Sequence, residues 1–303
     1  MTAIDDATDP ASRLLLGCDF SSAPSHRKPV VVAVGYLQKS KFSDENWHFP
    51  ASNGRLMLSF VECFASLDSF GAWLSTPREP WVGGFDLPFG LPRELVRSLG
   101  WPTDWLACMR HYTALPRDEI RAVFAAFCHA RPVGGKFAHR ATDGPAGSSP
   151  SMKWVNPPVA FMLHAGLPLL LAADAHLPGL HAGNPGRVAL EAYPGLLARE
   201  LIGKRSYKAD DRARQNAERL IARKDLITAL ERGQTRLGLR LKLSHAQRDA
   251  LADDASGDRL DAVLCMVQAG WAALQQAGGT GPGDGPGWGL PTFDPLEGWI
   301  VSS

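Results

Sequence analysis

The chain has 303 residues, 45% of them hydrophobic, with 32 basic against 31 acidic side chains and a net charge of +1. That length suits one large domain or two ordinary ones, and the apolar content supports a sizeable core, which excludes a disordered protein. The near-even charge balance excludes a general polycationic coat, so any nucleic-acid contact is confined to a local patch.

The segment Met1–Asp6 is acidic and lacks the basic and apolar regions of a signal peptide. Residues 14–20 and 30–37 are Leu- and Val-rich runs separated by a Ser/Pro/His/Arg loop, and they read as two strands of a hairpin-like pair. A third strand is expected near Trp47–Phe49. Residues 57–75 place Leu58, Val61, Phe64, Ala65, Leu67, Phe70 and Leu74 at helical spacing, which predicts a helix. Trp81–Asp86 is the next strand, ended by Leu87-Pro88-Phe89-Gly90, and its Gly83-Gly84 pair lets another element approach closely.

Residues 91–186 read as a long insertion, helical around Asp118–Cys128 and then loop-rich. Its Gly/Ser/Pro-rich centre, Thr142 to Pro158, is expected to be mobile or to contact substrate. The most apolar stretch, Val159 to Ala173, is too short for a membrane span and contains Pro168. Strand character returns at Val188–Ala192, and Asp210–Arg232 reads as an amphipathic helix. Ser244-x-x-Gln247 has the form of a capping box. Ser256–Gln276 is the final long helix, followed by a Gly/Pro-rich tail, 278–303, whose end is expected to pack back at Trp288 and Trp299-Ile300. The order of elements predicts a mixed α/β fold, and an opening hairpin is foreign to a doubly wound dinucleotide-binding sheet. The five cysteines are scattered without a Cys-x-x-Cys pair, which argues against a disulfide framework or structural zinc and suits a soluble, cytoplasmic chain.

Four stretches join an apolar run to an acid: Leu14–Asp19, Trp81–Asp86, Val188–Glu191 and Asp258–Leu264. A carboxylate at the end of a buried strand is costly to desolvate and wants a partner or a cation, and several at one point do not all ionise unless a cation sits among them. Asp19 and Asp86 end strands expected side by side, about 4.8 Å apart, close enough to share one ion; the alternative is two separate turn caps. Asp258 and Asp261 share a face at the start of the last helix. Capping suits Asp258, which follows Ser256-Gly257, and suits Asp261 less because its neighbours are apolar on all sides. Glu191 is either a site acid or the partner of an arginine, and Glu62, placed on the first helix, reads as a solvated face residue. Arg140 and Asp143, within His139–Asp143, form a possible phosphate-binding loop with Lys153; Lys204 and Lys208 lead a basic run to Lys224 able to grip a polyanion. No phosphate-binding Gly-rich loop ending in Gly-Lys-Ser/Thr and no Gly-x-Ser-x-Gly elbow is present.

Gly-Cys-Asp-Phe-Ser-Ser-Ala (17–23), Gly-Phe-Asp-Leu-Pro-Phe-Gly (84–90), Glu-Ala-Tyr-Pro (191–194), Ser-Tyr-Lys (206–208) and Asp-Arg-Leu-Asp-Ala (258–262), in that order, resemble the domain-of-unknown-function family 429, regarded as predicted nucleases with a ribonuclease H-like fold. The likeness runs over nearly the whole chain to its Glu-Gly-Trp-Ile ending. It implies a single ribonuclease H-like domain over 1–303: a five-stranded mixed sheet flanked by helices, the first three strands antiparallel and the first and fourth adjacent. It makes Asp19 the first-strand acid and Asp86 the fourth-strand acid, and likens the Asp258/Asp261 pair to the helix-borne acids of Holliday-junction resolvases. The expected catalytic set is Asp19, Asp86, Glu191, Asp258 and Asp261, of which Asp19, Asp86 and Asp261 hold Mg²⁺ or Mn²⁺ through oxygen ligands for hydrolysis of DNA or RNA phosphodiesters. The alternatives are a non-catalytic metal- or nucleic-acid-binding scaffold and an actin-like or sugar-kinase-like phosphotransferase, which needs two copies of the fold and a second phosphate loop.

Overall fold

The computed structural model describes residues 13–38, 54–279 and 284–303. Its centre is a seven-stranded mixed sheet in the order β5-β6-β4-β1-β2-β3-β7. The strands are β1 (Leu14–Asp19), β2 (Val30–Gln38), β3 (Arg55–Phe64), β4 (Trp81–Asp86), β5 (Ala175–His176), β6 (Asn184–Glu191) and β7 (Arg240–Lys242). As expected, β1 and β2 pair antiparallel and β1 lies parallel beside β4. β2 pairs antiparallel with β3, while β4 and β6 are parallel. The sheet exceeds the expected five strands because a two-residue strand on one edge and a three-residue strand on the other extend it.

The expected helix over 57–75 is corrected to strand followed by helix: β3 runs to Phe64, Ser66 caps the chain through the Ser69 amide, and α1 spans only Leu67–Ser75. The apolar spacing in 57–64 was ambiguous between the two periods, and pairing with the Val-rich β2 decides it. The strand expected at Trp47–Phe49 lies outside the described residues. Between β4 and β6 the insertion forms α2 (Arg93–Ser98), α3 (Trp105–Ala114), α4 (Arg117–His129), α5 (Asp143–Ala146) and α6 (Val159–Ala172), then β5. The C-terminal half adds α7 (Pro194–Ile202), α8 (Ala217–Arg232), α9 (His245–Asp253) and α10 (Asp258–Gly278). α8 begins later than the expected Asp210, where Asn216 caps the Arg219 amide. The capping box at Ser244 and Gln247 is complete, both reciprocal bonds being present. Among the described residues no helix is long and apolar enough to cross a membrane.

Alternation along the strands sends side chains to two cores. Leu16, Cys18, Val32 and Phe85 face the layer built from α1 and the insertion helices, whereas Leu15, Val31, Ala33 and Val82 face α7, α8 and α10. The tail packs back as expected, burying Trp288, Ile300 and Val301. α10 is buried on all sides over its first sixteen residues apart from Arg259 and Trp271.

Two glycines set how closely α10 lies on the sheet. A Cβ on Gly17 would overlap the Ala262 carbonyl and the Met266 backbone, and one on Gly84 would overlap the Cys265 carbonyl. The strands therefore meet helix backbone directly, two residues before Asp19 and Asp86. Gly17→Ala is expected to lose about 1–3 kcal/mol or more of stability, since rigid backbone rather than a flexible side chain must give way; denaturant unfolding measures it.

Candidate functional site

Asp19 and Asp86 are register partners at the ends of parallel β1 and β4. Asp19 also stands opposite Val31 of β2, so both acids belong to the sheet face covered by α10. The close seat of α10 over Gly17 and Gly84 brings its first turn, with Asp258 and Asp261, above that pair. Asp258 and Asp261 are 3% and 0% exposed, and Asp19 is 9% exposed.

The four carboxylates have different company. Asp261 accepts hydrogen bonds from the Tyr207 hydroxyl and the Lys208 ammonium. Lys208 keeps nearly half of its side chain exposed while turning its charged end inward to the fully buried Asp261. Asp258 is not a side-chain cap, because Gly257 occupies the cap position; its carboxylate meets Lys28 Nζ at 2.8 Å, and Lys28 also reaches Asp210 at 2.9 Å. Asp19 and Asp86 accept no side-chain hydrogen bond from any described residue. Two acids are thus balanced by lysines, and two, side by side on adjacent strands, are left without side-chain donors among the described residues.

The electrostatics follow. Burial raises the Asp19 pKa well above the carboxylate range, Asp261 and Asp258 add to the rise, Lys208 opposes it, and Asp86 adds a smaller push. Asp86 is pushed up to about 7 by burial and by Asp261, against Lys208, with Glu191 adding to the rise. Asp258 is raised by burial, with Lys28 opposing. Burial pulls the Lys28 and Lys208 pKa values down, but Asp258 holds Lys28 charged and Asp261 holds Lys208 charged, leaving both above the usual lysine value.

A pH effect follows from Asp86. Its folded pKa near 7 exceeds the unfolded value near 3.8, so between these limits the folded chain binds more protons than the unfolded one. The Asp86 contribution is fully present below about pH 4 and is lost as pH rises through about 7. In metal-free buffer the midpoint difference between wild type and Asp86→Asn is expected to widen in favour of the variant over that interval. A difference that stays flat from pH 4 to 8 would overturn the assignment.

Among the described residues, no group of three His, Cys, Asp or Glu side chains lies close enough to hold a metal ion with the side chains as they stand. The lysine ammonium groups supply positive charge at the acids. The donor set is nonetheless all carboxylate oxygen, which suits Mg²⁺ or Mn²⁺ and not a soft metal.

The other expected site residues are placed differently. Glu191, 4% exposed, ends β6 one position along the sheet from Asp86, but its carboxylate is taken up by Arg140 at 2.7 and 2.8 Å and by the Phe89 amide at 2.9 Å. Arg140 and Asp143, read as a phosphate-binding loop, instead form a buried ion pair with each other at 3.0 Å. Arg140 thus joins Asp143, Glu191 and the Glu297 carbonyl, tying the loop, β6 and the tail together. Glu62 is corrected from helix to β3, where its partner is Val32; this puts it on the sheet face opposite Asp19, away from the site.

The basic run is partly spent on structure. Arg205 pairs with Asp225 at 2.7 Å, and the buried Arg223 donates to the Ala252 and Tyr207 carbonyls at 2.7 Å, fixing Tyr207 and Lys208 beside Asp261. Lys204 is exposed. Lys28 and Tyr207 carry roles the sequence reading did not assign. A signal for Lys28 existed, since an antiparallel hairpin returns the residues just before Val30 to the Asp19 end of β1.

Two cavities open at the acids. One, about 300 Å³, has Asp86, Tyr193 and Ser149 in its wall. The other, about 510 Å³, has Asp19, Ala23 and Lys28. Pro157, Met162 and Lys208 belong to both walls. The Gly/Ser/Pro-rich stretch 142–158 therefore borders the site at both cavities.

The chain matches none of the family models, curated proteins or solved structures with which it was compared.

Proposed function

We propose that this chain is a divalent-metal-dependent hydrolase of phosphodiester bonds in nucleic acid, built on a ribonuclease H-like version of the mixed sheet. The observation that carries this reading is the pair Asp19 and Asp86: without a side-chain donor among the described residues, side by side on adjacent parallel strands, and each open to a cavity. Desolvated carboxylates with no donor are costly, and a hard cation is the partner that would relieve them. Asp19, Asp86 and Asp261 would hold Mg²⁺ or Mn²⁺, with Asp261 released from Lys208. When bound, the metal would supply an acidified water and charge stabilisation at the phosphorus.

The chain's own groups have separate tasks. Asp19 and Asp86 provide anionic oxygen at the strand ends. Lys208, freed from Asp261, stands at the mouth of both cavities, placed to neutralise a phosphate oxygen. Tyr207 keeps a hydrogen bond on Asp261 and orients it. Glu191 and Asp258 lie beside this core, the first tied to Arg140 and the second to Lys28.

A second reading rests on the lysines: an acid cluster already balanced by Lys28 and Lys208 also suits a non-catalytic metal-binding or nucleic-acid-binding scaffold. Thermal melts with and without Mg²⁺ or Mn²⁺, beside cleavage of DNA and RNA with and without chelator, separate the two. Metal-dependent cleavage supports the hydrolase; strong stabilisation by metal without turnover on any nucleic acid supports the scaffold.

A further inference from the structure

The acid pair sits on a divide. Asp86 opens into one cavity and Asp19 into the other, although adjacent strands put the two only about 4.8 Å apart. The residues common to both walls, Pro157, Met162 and Lys208, stand at that divide. Each cavity, at about 300 and 510 Å³, is of small-ligand size. Asp19 is nine-tenths buried, accepts no side-chain hydrogen bond from a described residue, and lines its cavity, so a carboxylate without a protein donor is turned to the space a ligand would fill.

From this geometry we infer that the site takes a short, unpaired phosphodiester: one nucleoside-sized group in each cavity, with the phosphate bridging the divide between Asp19 and Asp86 next to Lys208. The inference rests on the hydrolase reading above and adds its substrate class. A duplex carries its phosphates on the outside with the flanking bases stacked inward, and seating both neighbours in separate cavities would require unpairing them. Part of the basic run is not free to offset that cost. The net charge is +1, Arg205 is paired with Asp225, and Arg223 is buried against backbone carbonyls. An unpaired dinucleotide unit bends at its phosphate without that cost, and on the Asp86 side Tyr193 offers a ring against which a base can pack.

The test is calorimetric binding, in Mn²⁺, of a thymidine dinucleotide whose 3′ bridging oxygen is replaced by methylene, which blocks cleavage at that bond. Ser149→Trp narrows the Asp86 cavity and Ala23→Trp the Asp19 cavity, both from positions that are not fully buried. Each is expected to weaken binding by about tenfold or more, whereas Val133→Trp, at a site 93% exposed, binds as wild type. A relaxed, covalently closed circular DNA duplex, with neither free ends nor hairpin loops, is expected not to compete. Equal competition by the duplex, or unchanged affinity in both cavity variants, overturns the inference; should a variant fail to fold, the competition experiment decides. Cleavage of the closed circular duplex without dinucleotide binding rejects the substrate class and keeps the hydrolase. Dinucleotide binding sensitive to both cavities, with no turnover of any phosphodiester, keeps the occupant and rejects the hydrolase.

Discussion

Asp86→Asn, and separately Asp19→Asn, is expected to lower Mn²⁺-dependent phosphodiester cleavage by about 10³-fold, the several kcal/mol a bound metal supplies, while leaving a folded chain whose metal-free melting temperature is higher than that of wild type. The two halves of this result have one cause. Asp19 is buried and Asp86 half-buried, Asp261 lies near both, and neither receives a side-chain hydrogen bond from any described residue. In the metal-free chain its charge is a liability, and an amide of the same shape removes it. With metal present, the same charge is the ligand. Each kcal/mol relieved corresponds to about 1.5–2 °C for a chain of 303 residues. Turnover assays with chelator controls, beside melts in metal-free buffer above pH 7, measure both halves. If Asp86→Asn turns over as wild type, the site assignment is wrong; if it melts lower at every pH, the Asp86 carboxylate is a structural group and not a site acid.

Arg140→Ala is expected to do the opposite: to cost about 3–5 kcal/mol of stability, the range for breaking a buried ion pair from one side. Arg140 is 3% exposed and holds two buried carboxylates, Asp143 and Glu191, with charge-assisted bonds of 2.7–3.1 Å. Removing it strands both anions. Burial already pushes Glu191 up, and Arg140 is the first group that opposes the rise. The same guanidinium bonds the Glu297 carbonyl at 3.0 Å, so the tail should loosen as well. Denaturant unfolding gives the loss, and faster amide exchange near Ile300 and Val301 would report the tail. A variant of wild-type stability would return Arg140 to the pool of substrate-binding residues. The contrast between these two predictions separates a site acid from a structural one by the sign of the stability change.

How much was legible beforehand depends on the range of the interaction that fixes each feature. Helix and strand runs with unambiguous period, such as β1, β2, β4 and α10, were read directly, as was the capping box at Ser244, because neighbours in sequence decide them. Residues 57–64 read as helix from sequence because their apolar spacing fits both periods, and the deciding contact, the ladder with β2, is with residues 30–36, remote along the chain. Glu62 followed it, since a change of element changes which side of the sheet a side chain takes.

A mixed α/β core with acids at the ends of its buried runs is legible without coordinates, because an apolar run followed by Asp needs no distant contact to be recognised. Only the tertiary structure decided what each acid is for. Register set Asp19 against Asp86, the two glycines seated α10 over them, and remote cations divided the remainder: Lys208 to Asp261, Lys28 to Asp258, Arg140 to Glu191. The physical reason is that a buried charge is defined by its partner, and these partners come from 51 to 230 residues away along the chain.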